Sequence, residues 1–242
     1  MQLMKLLHKT FKKQLPSIHQ VRLTNIMHAS ETLIRVNKIS LTALGRNLSN
    51  KNKTRSNIKK MDRLLGNSHL HKKSISFYRV MASKLINKGS CPWLHIDWSC
   101  ICHLTQLYVL RASLSMSGRS IVIYEESHPK KNENHHPTHV AFLNNLKSVL
   151  PDPVKPVIVT DAGFRAPWFA AVLTMGWDFV GRLRNQNLVR FAHTSTWQLS
   201  NILYKNAKGT PKYLGHGVLT NRLKVPAHFV IYTRTTLNLG VL

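Results

Sequence analysis

The stretch from Pro151 to Gly163 constrains the fold more than any other part of the chain. Val157, Ile158 and Val159 form an unbroken apolar run, approached through Pro151, Pro153 and Pro156 and left through Asp161-Ala162-Gly163. A strand that is apolar on both faces is the kind buried in a parallel sheet, with helices covering it. The rest of the chain must therefore supply strands to pair with this one and helices to pack on them.

Such elements can be read on both sides. Trp93 to Trp98 reads as a short strand, and Leu104 to Ser115 as a longer one rich in Leu, Tyr and Val. Ser117-Gly118 is a hairpin turn, with Ser120 to Glu125 returning from it. Asn132 to His139 is polar and loop-like. A helix is expected from about Thr138 to Leu150, on the apolar set Val140, Phe142, Leu143, Leu146 and Val149. A short helix after Pro167 and a strand from Trp177 to Leu183 complete the order: three strands, helix, strand, helix, strand. That order predicts an α/β fold, a mixed sheet with flanking helices. From about Leu188 onward the texture is short strands and turns without an obvious helix. No internal repeat is visible.

The front of the chain has a different texture. From Ile18 to Val36, the residues Ile18, Val21, Ile26, Ala29, Leu33 and Ile34 recur at roughly helical spacing. Ser40 is a candidate N-cap for a short helix carrying Leu41, Leu44 and Leu48. After a polar break, Thr54 to Leu65 predicts a second amphipathic helix that buries Ile58, Met61, Leu64 and Leu65 and stops at Gly66-Asn67. Arg55, Lys59, Lys60 and Arg63 lie largely off that stripe. Two short helices joined by a polar turn, the second basic, suit a helix-turn-helix; a helical bundle with a solvated Lys/Arg face suits the same pattern.

Charge separates these readings. The 242 residues hold 35 Lys and Arg against nine Asp and Glu, a formal net charge of +26. So positive a surface repels itself unless a polyanion is its partner, and 43% hydrophobic residues with five Trp exclude a disordered basic tail. No apolar run reaches membrane-spanning length, and Lys5, Lys9, Lys12 and Lys13 interrupt the start too closely for a signal-peptide core. Cys91, Cys100 and Cys102 read as reduced, and the protein as cytoplasmic.

Where acids are scarce, their positions inform. Asp97 lies in or at the end of the first strand, and Asp161 at the end of the apolar one. Ligands bind at the carboxyl ends of strands in open α/β sheets. A bare carboxylate there is also an ordinary loop or cap residue. Two of them on neighbouring strands suit a hard divalent cation.

Several stretches resemble one family. They are Leu41-Thr42-Ala43-Leu44-Gly45-Arg46-Asn47-Leu48, then Asn57-Ile58-Lys59-Lys60-Met61-Asp62-Arg63-Leu64-Leu65-Gly66-Asn67, and Ile96-Asp97-Trp98-Ser99. Val109-Leu110-Arg111-Ala112-Ser113, Ser117-Gly118-Arg119-Ser120 with Tyr124-Glu125, and above all Asp161-Ala162-Gly163-Phe164 continue the match. Together, from about residue 15 to 184, they resemble the DDE transposases of bacterial insertion sequences, the group with a YREK signature. The resemblance implies a helical DNA-binding region over 1–88, an RNase H-like catalytic core over 89–185 and the start of a β-rich insertion over 186–242. It implies cut-and-paste transposition: metal-dependent phosphodiester cleavage at transposon ends, then strand transfer into target DNA. Asp97 and Asp161 match the first two catalytic carboxylates, which would hold Mg2+ or Mn2+.

The family's third ligand, a Glu within the YREK signature, falls beyond residue 242 by the same resemblance. The chain then reads as C-terminally truncated and inactive in cleavage, and its tail from Thr235 to Leu242 resembles nothing in the family. Partners implied are double-stranded DNA, as transposon ends and target, and a second copy in a synaptic homodimer, with a bacterial, nucleoid-associated location. Arg46, Arg55, Lys59, Lys60 and Arg63 would grip the end largely through phosphates, with Arg182 and Arg184 as further backbone contacts or ordinary surface arginines. The alternative is a non-catalytic DNA-binding protein, a helix-turn-helix regulator or an inhibitory transposase fragment.

Other candidates are weaker. Cys91, His95, Cys100, Cys102 and His103 fit no zinc-ligand spacing. His135, His136 and His139 read as a polar loop, Glu125 and Glu126 as solvent-facing ends of a strand, Asp178 as structural or exposed, and Trp98 and Trp168 as core aromatics.

Overall fold

The computed structural model describes residues 2–183, 187–205 and 207–233. The chain divides into two compact units, Met1–Ile86 with Ser148–Pro151, and Asn87–Lys147 with Asp152–Leu242. Among the described residues no helix is long and apolar enough to cross a membrane.

The first unit is helical: α1 (Gln2–Gln14), α2 (Gln20–Val36), α3 (Leu41–Arg46), α4 (Thr54–Leu65), α5 (Ser68–Lys72) and α6 (Ser74–Leu85). The sequence reading did not assign α1, α5 or α6. In α1 the lysines lie on exposed positions while Met4 and Phe11 are buried, joined by Leu15, Ile18, Leu23, Met27 and Val80 in one core. The buried residues of α2 are Leu23, Met27 and Thr32; Val21 and Ile34, expected inside, are 59% and 58% exposed.

A second core joins Leu44, Leu48 and Met61, with Ala29, Leu33, Leu41 and Leu64 packed against it. Ser40 caps α3 as expected, its Oγ accepting from Ala43 N at 3.1 Å. The turn into α4 is pinned by a reciprocal amide pair. Asn50 Nδ2 donates to Asn57 Oδ1 at 3.0 Å and Asn57 Nδ2 to Asn50 Oδ1 at 2.9 Å. Asn57 is buried, so each of these bonds satisfies a group removed from water. Gly45 lets the two helices touch: a Cβ there would lie 2.6 Å from Ile58 Cα. Leu65, expected in the stripe, is exposed at the fraying end of α4.

The second unit contains two sheets. The larger has the order β3-β2-β1-β4-β5, with β1 (Trp93–Cys102), β2 (Leu107–Met116), β3 (Arg119–Pro129), β4 (Val157–Thr160) and β5 (Asp178–Gly181). The first three strands form an antiparallel meander, turned at Gly118 with φ +73°. β4 runs parallel to both β1 and β5. The expected α/β architecture with a mixed sheet and flanking helices is what the chain adopts.

Two helices connect these strands, α7 (His136–Val149) and α8 (Ala166–Thr174). Phe142 of α7 packs on Tyr124, and Phe169 of α8 stacks on Phe179. Register places Tyr124 and Phe179 on one face, that of Leu94, Ile96 and Ile158, so both helices cover the same side of the sheet. Helix α7 begins two residues earlier than expected, which lifts His136 to His139 out of the polar loop and into its first turn.

The smaller sheet, order β7-β6-β8-β9, comprises β6 (Leu188–Phe191), β7 (Gln198–Leu199), β8 (Lys212–Leu219) and β9 (Val225–Ile231). A short helix, α9 (Ser200–Tyr204), interrupts it, where sequence reading expected none. The tail from Thr235 and the position of Arg184 lie outside the described residues.

Candidate functional site

The register of β1 against β4 ends with Ile96 opposite Thr160. Asp97 and Asp161 are the next residue on each, so the two carboxylates leave the backbone at neighbouring positions. Parallel strands lie roughly 4.8 Å apart, a separation that a shared cation can span. Side chains alternate along a strand. Leu94 and Ile96 point into the helix-covered side and are fully buried, while His95 and Asp97 emerge on the other side and are exposed.

Asp161 stands in the turn that follows β4. Gly163 N donates to its Oδ1 at 2.8 Å, an Asx-type turn, and a Cβ at Gly163 would come within 2.9 Å of that oxygen. Asp97 Oδ2 accepts from Ser99 Oγ at 3.5 Å. These bonds use one oxygen of each carboxylate.

A row of charge crosses the open face. Register aligns Glu125, Arg111 and Asp97 on β3, β2 and β1, while Arg182 follows Gly181, the partner of Thr160. Arg111 therefore has a carboxylate on each side. Its Nε donates to Glu125 Oε2 at 2.8 Å. Glu125 faces the open side, as expected from sequence, with its side chain 34% exposed, and there it is also an ion-pair partner. The spacing carried no signal for this, because cross-strand neighbours are known only once the register is known.

Glu126 lies on the opposite face, in the row of Leu110 and Trp98. Unlike Glu125, it departs from the solvent-facing expectation, its side chain being 18% exposed. Tyr124 Oη donates to its Oε1, Asn145 Nδ2 donates to the same oxygen at 2.8 Å, and His128 Nε2 lies 2.9 Å from Oε2. Beside it, His139 is 4% exposed. Trp98 Nε1 donates to His139 Nε2 at 3.2 Å, so this nitrogen is unprotonated. Burial, together with the neighbouring His136, His135 and His128, pushes His139 down to about 4. Trp168 is buried beside it as expected, while Trp98 is half-buried.

In the helical unit, Arg46, Arg55, Lys59 and Arg63 are exposed and Lys60 is half-buried. Lys60 and Arg63 line a concavity with Arg22, Asn25, Leu64 and Asn67. Arg22 and Asn25, on α2, were not singled out from sequence; only packing brings them beside α4. Arg35 is committed elsewhere, donating to Ser49 Oγ at 2.8 Å and to Asn47 O. Arg182 is exposed just past β5.

The three cysteines are free. Among the described residues no group of three or more His, Cys, Asp or Glu is placed to share a metal ion. Compared with known proteins, the chain matches no protein family, no curated protein and no solved structure.

Proposed function

We propose that this chain is a DNA-binding member of the insertion-sequence DDE transposases, built on an RNase H-like sheet and carrying two of the three carboxylates that such enzymes use. The observation behind this reading is the register that sets Asp97 and Asp161 side by side, one residue past the last pair of two parallel strands. Further support comes from the five-stranded mixed sheet, from helices that cover one face, and from the Asp97 carboxylate, which emerges on the other.

The donor set fits a magnesium or manganese ion: hard oxygens, with no thiolate or imidazole grouped with them. Bound by Asp97 and Asp161, such an ion would supply Lewis-acid activation of a phosphodiester and of the oxygen that attacks it. The chain's own residues do the rest. Glu125 holds Arg111, which leaves Asp97 available as a ligand. Arg182 stands one step from Asp161 in the neighbouring strand, where a phosphate of the scissile strand would find a cation.

The α3–α4 pair acts as the helix-turn-helix, with Arg46, Arg55, Lys59, Lys60 and Arg63 holding the transposon end of a DNA duplex through its phosphates. A second copy would bridge the other end. In the whole enzyme, strand transfer would follow cleavage, in the bacterial nucleoid.

A second reading, a DNA-binding fragment or regulator that does not cut, is favoured by the lack, among the described residues, of a third acid grouped with Asp97 and Asp161. Selecting duplexes from a random-sequence pool, then incubating the bound set with Mg2+ or Mn2+, separates the readings. Binding without cleavage is expected for this chain. Cleavage that Asp97→Ala abolishes would show that two carboxylates suffice, and failure to bind duplex DNA would overturn both readings.

A further inference from the structure

An aromatic cluster lies on the helix-covered side, and it touches both segments that bear the carboxylates. Trp98 follows Asp97 directly, so its indole points through the sheet away from that carboxylate. Phe164 is three residues beyond Asp161 and is buried. Between them stands His139, from the first turn of α7. It accepts the Trp98 indole N–H at 3.2 Å and packs its ring against Phe164 with centroids 5.4 Å apart. Trp168 of α8 meets the same ring edge-on at 5.0 Å and Phe164 at 4.7 Å. Its own Nε1 is buried with no hydrogen-bond partner among the described residues.

The cluster is braced from β3. His128 meets the Trp98 ring at 5.7 Å and lies 2.9 Å from Glu126, which Asn145 also holds. Helix α7 thus reaches the row of Trp98 at two points, His139 and Asn145.

We propose that His139 is a positioning residue: it ties the Asp97 strand to the Asp161 turn, through the acceptor nitrogen it offers Trp98 and the ring face it offers Phe164. The proposal rests on the reading of Asp97 and Asp161 as ligands of one divalent ion. Two carboxylates on separate strands share an ion only if their backbones hold a fixed separation, and side chains behind a site set that separation. His139 suits the task because it is buried, and because it contacts both the residue next to Asp97 and the loop after Asp161.

The test uses the full chain with His139→Leu, which keeps bulk but offers no acceptor, and His139→Gln, which restores one. Mn2+ alone is the probe, followed by electron paramagnetic resonance, with amide spectra recorded for Asp97–Ser99 and Asp161–Phe164. His139→Leu is expected to weaken Mn2+ binding about tenfold or more and to move both groups of amides together, and His139→Gln to recover most of both. Unchanged affinity, amide shifts confined to one segment, or a Gln variant as impaired as Leu would overturn the proposal. Should wild type bind no Mn2+, the shared-ion reading fails on its own, and the coupled or uncoupled amide shifts still decide the link through His139. If His139→Leu does not fold, Trp98→Phe removes the donor instead. Unmoved Asp161–Phe164 amides in that variant would equally overturn the link.

Discussion

Residues 1–90 carry 19 Lys and Arg against two acids, whereas residues 91–242 carry 16 against seven. The helical unit spreads its cations over exposed positions such as Arg46, Arg55, Lys59 and Arg63, with hardly a carboxylate to neutralise them. The sheet unit does the reverse with its acids. Asp97 on β1 and Asp161 in the turn after β4 each follow the last pair of adjacent parallel strands, Glu125 is matched to Arg111, and Glu126 is held by three side chains on the helix-covered face. The first arrangement works by accumulated charge and tolerates imprecision; the second depends on position. Loss of one residue should therefore be graded in the helical unit and abrupt in the sheet.

The largest expected effect tests the first half of that contrast. Replacing Arg55, Lys59 and Arg63 together with Ala should lower duplex affinity about a hundredfold or more, and flatten the salt dependence by about 0.9 in slope for each phosphate no longer neutralised. Single replacements should each cost a fraction of this. Filter binding across a salt series measures it; an unaltered slope would mean that these cations face water alone.

Next comes acidity, which should strike the sheet unit. Unfolded His139 takes up a proton as pH falls through about 6.5, while in the folded protein burial delays this to about 4. Stability is whole above the unfolded value and is lost as pH falls toward about 4, by about 3 kcal/mol from this residue. The like charge of the neighbouring His136, His135 and His128 is already part of that lowered value, after burial as the larger cause. Denaturant titrations at a series of pH values should show a shallower acid loss in His139→Gln than in wild type. Equal slopes would place the acid sensitivity elsewhere.

The smallest effect returns to the helices. Gly45→Ala should destabilise the α3–α4 contact by about 1–3 kcal/mol, because the added methyl meets the Ile58 backbone. Its DNA affinity should fall with its stability, and restoring the fold at lower temperature should restore binding. Binding abolished while thermal unfolding is unchanged would make Gly45 a DNA-facing residue instead.

What could be read in advance follows the range of the forces involved. Helix α4 was legible to its ends, since a basic amphipathic period and Gly66 are local signals. So were β4, an uninterrupted apolar run, and the Ser117-Gly118 turn. Of the missed elements, α1 did carry a local signal, since Met4, Leu7 and Phe11 recur at helical spacing and pack on one core, but the lysines between them drew attention to charge instead. His139 looked like a loop residue because its polar neighbours masked a helix start, and its burial depends on Trp98, Phe164 and Trp168 from three other segments. The two aspartates stood out because acids are rare here, but Arg111 and Glu125 gained meaning only from strand pairing.

That pairing carries a consequence for how this sheet can drift over evolutionary change. Arg111 has one guanidinium and a carboxylate neighbour on either hand, and its Nε is spent on the outer one. Neutralise Glu125 and the same arginine is free to swing inward and satisfy Asp97, filling with a fixed cation the place where an exchangeable one would sit. A change two strands away from Asp97 would then close off the proposed ion site without touching either aspartate.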